Sequence, residues 1–361
     1  MMTVTTAWRQ MVANFPNLSL QNMTGSQTIQ VWQSLSAPRI RLELANDFGK
    51  RSLPITSIQV GSDTLIPATW HSQMSFLVPA HQRCWTDWLD YPVTAGEWLT
   101  ITIRSPEKQP VTLTQTLDQT LFKGSKPTQQ YFWGVDAIQV ERTTPTKTIM
   151  CFGDSLTNQG YYAGSLMQAL ALAQPDQWGL INGGISGNRL LRTGHSTSEW
   201  VASFGPAGIE RLPQLLAQQP VDVLVAMAGL NDLLQPGVGT PLDELPTAAD
   251  LIAGLQHIQR LAAQKAITLT LLTITPFKGA VVDHLPAWSP AKEQIRQAVN
   301  TYLRTQPVTI DLASYVADSM DNCRLAAQFD CGDATHFSAA GGHQLGQWLW
   351  QQLQQKLSLT S

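Results

Sequence analysis

Three residue types in this chain stand in settings where they could do chemistry together. Ser155 closes the run Gly153-Asp154-Ser155, and His336 closes Asp333-Ala334-Thr335-His336, the single Asp-x-x-His in the sequence. A serine hydroxyl is a poor nucleophile at neutral pH until a neighbouring base takes its proton. An imidazole can do this when a carboxylate fixes its tautomer and stabilises the imidazolium. Asp333 is spaced for that role, since residues three apart lie on one side of a turn. Acyl transfer further requires donors for the developing oxyanion. The Ser155 N–H, the Gly187 N–H and the Asn231 side-chain amide are the candidates, and a glycine at 187 lets the backbone approach closely. The expected catalytic residues are therefore Ser155, His336 and Asp333, with Ser155, Gly187 and Asn231 as the oxyanion hole.

These residues need a scaffold that brings distant loops to one rim. From about residue 147 the sequence alternates short apolar strands with helical stretches. Strands are expected at Thr148–Phe152, Leu180–Ile181, Val221–Met227, Ile267–Ile274 and Val308–Ile310. Helices are expected at Tyr161–Ala173, Ala248–Gln264, Ala291–Arg304 and Ala339–Leu357. Such alternation predicts a doubly wound parallel sheet of five strands, whose ligands bind beyond the carboxyl ends of the strands. Gly153-Asp154-Ser155, Asn182–Asn188 and Gly229-Leu230-Asn231-Asp232 each follow a strand, and Gly332–His336 precedes the last helix. Gly-Asp-Ser alone would arise by chance in roughly one chain of this length in ten. Its coincidence with the other loops, each in its proper place, is what carries weight.

Ahead of this region, residues 25–143 change to period two. Leu99, Ile101 and Ile103 alternate with Thr100, Thr102 and Arg104, and Ile40, Leu42 and Leu44 alternate with Arg39, Arg41 and Glu43. Many short strands with turns between them predict an all-β sandwich. At the start, Ala7, Trp8, Met11, Val12 and Phe15 fall at helical spacing, which predicts a short amphipathic helix within an extension covering 1–24. Thr143–Thr146 reads as a linker, and the catalytic domain is expected to cover 147–361.

Composition removes other classes of function. The 361 residues carry a net charge of −3, and no run of Lys or Arg exceeds two, so neither a nucleic-acid groove nor a polybasic membrane patch is expected. With 43% apolar residues the chain can bury a core, although only 14% are charged. No segment approaches the ~20 apolar residues of a membrane span. No secretion signal is read at the start, and a cytoplasmic location is expected. There is no Gly-x-Ser-x-Gly elbow, P-loop, Gly-x-Gly-x-x-Gly or His-Glu-x-x-His, so no cofactor and no metal are expected. The cysteines, Cys84, Cys151, Cys323 and Cys331, form no Cys-x-x-Cys and are expected to be free thiols. Cys323 and Cys331 are close enough in sequence to bridge in an oxidising compartment. Asp154 is expected to be structural. Arg189, His195 and Trp288 sit on loops near the expected rim, where packing or surface roles are favoured, and His343 is expected partly buried on the last helix.

Together the blocks resemble the SGNH hydrolases, also called the GDSL esterase/lipase family. Phe152-Gly153-Asp154-Ser155-Leu156-Thr157 resembles the block that carries the nucleophile. Asn182-Gly183-Gly184-Ile185-Ser186-Gly187-Asn188 and Gly229-Leu230-Asn231-Asp232 resemble those carrying the oxyanion Gly and Asn, and Asp333–His336 resembles the one carrying Asp and His. The resemblance implies a flavodoxin-like three-layer α/β/α domain. Leu35–Ile58, with Arg41, Asn46, Phe48 and Gly49, together with Thr275-Pro276-Phe277 and Arg296–Asn300, is similar to a bacterial subgroup. In that subgroup a jelly-roll-like β-sandwich precedes the catalytic domain. Phe337 departs from the subgroup, which more often has Pro there. The implied activity is hydrolysis of short-chain carboxylic esters, acetyl foremost, with acetylated carbohydrates among the substrates. Two alternatives stay open: a lipase or thioesterase acting on longer acyl chains, and a catalytically weak carbohydrate-binding protein. Homo-oligomerisation also stays open.

Overall fold

The computed structural model describes residues 2–18, 25–62, 64–107 and 110–358. The chain forms two compact units: Met1–Ile149 with Met167–Gly183, and Met150–Leu166 with Gly184–Ser361. Among the described residues no helix is long and apolar enough to cross a membrane.

The first unit is dominated by β-structure. One of its sheets runs in the order Phe122–Gly124, Ser26–Trp32, Trp98–Arg104, Ser57–Gly61, Leu65–Ala68. In Trp98–Arg104 the alternation read from sequence becomes alternation of burial: Leu99, Ile101 and Ile103 are buried while Arg104 is exposed. A second sheet places Val12–Asn14, Thr112–Gln115, Tyr131–Arg142, Thr3–Gln10 and Trp178–Gly184 side by side, and Arg39–Ala45 also pairs with Tyr131–Arg142. The two sheets face each other across an apolar core. Gly134 sits so close to the Ile103 side chain that a Cβ there would lie 2.7 Å from its Cδ1.

The helix expected over 7–15 is not formed. Thr3–Gln10 is a strand, antiparallel to Tyr131–Arg142 and parallel to Trp178–Gly184, and Val12–Asn14 is another. The physical reason lies in burial. From Ala7 to Ala13 every residue is buried, Arg9 and Gln10 included, so this strand is covered on both faces and shows no period of two. Residues 19–24 of the expected extension lie outside the described residues.

The second unit alternates strands and helices. Val223–Met227 pairs in parallel with Thr268–Leu272, which pairs in parallel with Thr309–Ile310, and Lys147–Gly153 lies on the other side of Val223–Met227. All five residues of Val223–Met227 are buried, as a strand with both faces covered requires. The remaining expected strand, Trp178–Gly184, groups with the first unit. Helices Ala248–Gln264, Pro290–Arg304 and Ala339–Ser358 match the expected stretches. Helix Ala248–Gln264 opens with a capping box, in which Thr247 and Asp250 satisfy each other's backbone N–H. One helix was not expected, Gly208–Gln218. It carries Pro213 in its interior, a residue that removes a helix hydrogen bond.

Candidate active site

All the residues singled out for chemistry belong to the second unit. The strand Lys147–Gly153 ends against backbone: a Cβ on Gly153 would collide with the Met227 carbonyl and the Thr157 hydroxyl. The chain then turns through Asp154, whose Oδ1 accepts from the Leu156 N–H at 3.0 Å and caps the short helix Ser155–Asn158. Ser155 is thereby the first residue of that helix. Its backbone N–H has no acceptor among the described residues, as the first turn of a helix dictates.

The His336 loop is shaped by its own aspartates. Asp330 Oδ1 accepts from the Gly332 and Ala334 N–H groups at 2.8 and 3.0 Å. Asp333 Oδ1 accepts from the Thr335 and His336 N–H groups at 2.9 and 2.7 Å. Two such side-chain turns leave the ring of His336 little choice of direction. Its Nδ1 meets Asp333 Oδ2 at 2.6 Å, and its Nε2 meets Ser155 Oγ at 2.9 Å. Asp333 does not cap the last helix; Ser338 does, accepting from the Gly341 N–H at 3.0 Å.

The electrostatics favour a base that can hold a proton. Burial works against the His336 imidazolium. The hydrogen bond and charge of Asp333, with the charges of Asp154 and Asp330, outweigh it and raise His336 above its ordinary value. For Asp333 burial likewise opposes the charge. Hydrogen bonds from the His336 side chain and from the backbone N–H groups prevail and hold its carboxyl well below the usual range.

The oxyanion candidates come from two further loops. Gly187 adopts φ +74°, and Phe204 packs so closely that no Cβ could be accommodated. Its carbonyl accepts from Gln235 Nε2 at 2.8 Å, while its N–H has no acceptor among the described residues. Asn231 is the second residue of the helix Leu230–Leu234 that follows the left-handed Gly229. Its Nδ2 donates to the Asn188 carbonyl at 3.1 Å, which leaves the second amide hydrogen unspent.

Three residues hold these loops in register. Arg211 Nη2 donates to the Gly153 carbonyl at 2.6 Å, and its Nε donates to Asn188 Oδ1 at 2.8 Å. Asn188 in turn donates to the Phe204 and Pro206 carbonyls, both at 2.7 Å. Asp232, fully buried, accepts from the Leu190 and Leu191 N–H groups at 2.6 and 2.9 Å. Burial pushes the Asp232 carboxyl up to about 6, and those backbone N–H groups oppose the rise. Burial also brings Arg211 down to about 9, with Asp154 opposing. Asp232 stands inside a block quoted from sequence, but its role there was not read. Arg211 was missed altogether, being a lone arginine on the helix that Pro213 concealed.

The other sequence candidates have structural partners. Arg189 is buried and ion-paired with Glu244, and His195 is exposed with Nδ1 3.2 Å from the same carboxylate. Trp288 donates to Glu293 at 3.3 Å. Asp154 is buried and pushed up to about 6 by burial, against its hydrogen bond from Leu156. The four cysteines are free thiols, Cys84 and Cys151 buried. Among the described residues one group of potential metal ligands exists, Asp330, Cys331 and Asp333, with ligand atoms within 4.8 Å of one another. Both carboxylates in it already accept the loop hydrogen bonds described above.

A hydroxyl in contact with an oriented imidazole can attack a carbonyl, and N–H donors without an acceptor are groups able to hold the resulting oxyanion. Among curated proteins no sequence relative matches the chain. Solved structures are similar to part of it. A carbohydrate acetylesterase family member from Sinorhizobium meliloti is 19% identical, with TM-score 0.42, over 59% of this chain and 100% of that one. An aryl esterase from M. smegmatis is 20% identical, with TM-score 0.44, over 58% of this chain and 99% of that one. The family model of the GDSL-like lipase/acylhydrolases matches residues 151–344, more than half of the chain and the span that holds every residue of the site. The chain belongs to the GDSL-like lipase/acylhydrolase family and is a carboxylic ester hydrolase.

Proposed function

We propose that the enzyme hydrolyses short-chain carboxylic esters, acetyl esters first among them and acetylated carbohydrates within range, through an acyl-enzyme on Ser155. His336 Nε2 takes the Ser155 proton as Oγ attacks the ester carbonyl. The carbonyl π electrons move to oxygen, and the oxyanion is held by the Ser155 N–H, the Gly187 N–H and the Asn231 amide. The tetrahedral intermediate collapses, the bond to the alcohol oxygen breaks, and His336 returns the proton to that oxygen. Water then repeats the sequence on the acyl-serine, with the same imidazole as base, and releases the carboxylic acid. Asp333 keeps Nδ1 protonated throughout and stabilises the imidazolium.

The observation that carries this reading is the unbroken run of contacts from Ser155 through His336 to Asp333, at 2.9 and 2.6 Å. The Phe204 ring packed against Gly187 supports a short acyl group, because it closes the space beside one oxyanion donor. The test is a series of p-nitrophenyl esters from acetate to long acyl chains, with Ser155→Ala as control. A Ser155-dependent rate that peaks at acetate and falls by roughly 10⁴-fold or more in the variant is expected. A peak at long chains would reassign the enzyme to lipase or thioesterase chemistry.

A further inference from the structure

One element beside the site takes no part in the chemistry above. After the strand Thr268–Leu272 the chain passes Lys278 and Gly279 and rises into two short antiparallel strands, Val281–Val282 and Leu285–Pro286. Val281 opposes Pro286 and Val282 opposes Leu285. Asp283 and His284 both have positive φ, 48° and 66°, as a tight two-residue hairpin turn needs. The hairpin is therefore apolar on both faces, with its polar residues confined to the tip. Val281 is 59% exposed and Leu285 is 50% exposed. A hairpin that projects from a surface normally keeps one polar face for water.

The base of the hairpin is anchored to the catalytic loops. The Ala287 N–H donates to the Ala280 carbonyl at 2.9 Å and closes the hairpin. The buried Lys292 ammonium donates to the Ala287 carbonyl at 2.6 Å. It also donates, at 3.2 Å, to the carbonyl of Leu234, at the end of the helix that carries Asn231. Gly279, with φ +107°, lies where a Cβ would stand 3.2 Å from that of Ala334, the residue after Asp333 and two before His336. Lys278 pairs with Asp321 at 2.7 Å, so this approach is fixed from below as well.

Position then decides what the apolar surface is for. In acyl transfer the leaving oxygen must receive its proton from the base, while the carbonyl oxygen turns toward the oxyanion donors. The alcohol half of the ester thus lies on the His336 side, and Gly279, two residues before the hairpin, packs against Ala334 of the His336 loop. We propose that the Val281–Pro286 hairpin is a specificity element that contacts the alcohol half of the ester and selects leaving groups with an apolar face. Such a face is offered by an aryl or alkyl alcohol, or by the C–H face of a sugar. This inference rests on the Ser155–His336 reading above.

Every acetate ester passes through the same acetyl-enzyme, so a change on the alcohol side alters acylation and leaves deacylation untouched. The experiment compares methyl, butyl and benzyl acetate and an acetylated methyl glucoside, using wild type, Val281→Ser/Leu285→Ser, and Val281→Ile/Leu285→Met. Both pairs of substitutions fall on exposed positions. For the serine pair, kcat/KM for benzyl acetate is expected to fall about 3- to 10-fold relative to methyl acetate. The deacylation rate constant stays unchanged, and the apolar pair retains the wild-type profile. A parallel fall for the glucoside assigns the contact to a sugar face; a fall for the benzyl ester alone assigns it to an aryl or alkyl alcohol. An unchanged alcohol profile, or a change confined to acyl-chain preference, overturns the inference while leaving the proposed function intact. Absence of any Ser155-dependent hydrolysis by wild type would overturn both.

Discussion

Two buried charge clusters, one in each unit, are put to different uses. In the first, Arg9 and Arg83 are set among Glu43, Asp47 and Asp136. Arg9 lies 2.6 Å from Glu43, and Arg83 lies 2.7 Å from Asp136 and 2.6 Å from Asp47. Each carboxylate here is answered by a guanidinium, and nothing is left to react. Burial pushes Asp136 up, Arg83 opposes the rise, and the neighbouring Glu43 charge adds to it. In the second unit the buried charges of Asp232 and Arg211 are spent on backbone groups and on Asn188. They fix loops and leave the Ser155 hydroxyl to its contact with His336 and the Ser155 and Gly187 N–H groups without acceptors among the described residues. The first arrangement is a closed ion cluster that holds strands together. The second is a frame, in which charge positions neutral groups that remain free for a substrate.

That contrast is broken most forcefully at Arg83. Its Arg83→Met variant would strand Asp136 and Glu43 with Arg9 alone, and removing one partner of a buried ionic cluster costs about 3–5 kcal/mol. Because Arg83 is one-fifth exposed, the lower end of that range applies. Urea unfolding should therefore show a lower midpoint, while turnover per titrated active site stays within about twofold of wild type. Loss of turnover in the fraction that remains folded would contradict the view that this cluster serves the fold alone.

Arg211 should give the converse result. It bridges the Gly153 carbonyl and Asn188 Oδ1, so Arg211→Met releases the loop before Ser155 from the loop after Gly187. Misplacement of donors by a fraction of an ångström costs about 10- to 100-fold in rate. The fall should appear in kcat more than in KM, since the oxyanion forms only in the transition state. An Arg211→Lys variant keeps one charge but not the planar fork, and should recover only part of the loss. A variant with wild-type kcat and reduced stability would place Arg211 with the first unit's cluster in kind.

The same contrast explains what sequence could show. The contacts of Ser155, His336 and Asp333 were expected because each sits in a short block of suggestive spacing, and the strands and helices that carry them keep clear apolar periods. The strand Thr3–Gln10 was misread because its burial on both faces erased the alternation, leaving Ala7, Trp8 and Met11 to mimic a helix. Helix Gly208–Gln218 was hidden by Pro213, and Arg211 went with it. A residue that works by bridging two distant loops leaves no local pattern. The residues proposed to react were suggested by their neighbours in sequence, whereas the contacts that hold their loops were not.

The smallest effect is expected at Asp154, which belongs to both kinds of arrangement: it caps the Ser155 helix through Oδ1, yet it is buried and its Oδ2 has no hydrogen-bond partner among the described residues. Asp154→Asn keeps the capping acceptor and the shape and removes only the charge. That charge is one of the contributions that raise His336, after the opposing effect of burial and the larger contributions of Asp333. Without it the imidazole gives up its proton more readily. The acid limb of kcat/KM, which reports the free enzyme's base, should move to lower pH with little change in the plateau. Stability should respond with its own sign. The folded-state value of Asp154 is pushed up to about 6 from an ordinary 3.8 by burial, so between those values the folded protein retains a proton that the unfolded chain has lost. Wild type therefore loses stability as pH rises through that window, and the variant, which cannot ionise there, does not. Measured by urea unfolding at pH 4.5 and pH 7.5, the variant should gain on wild type at the higher pH. A gain at the lower pH instead would mean that the Asp154 carboxylate is favoured in the fold, and that the cap beside Ser155 is stabilised by its charge rather than in spite of it.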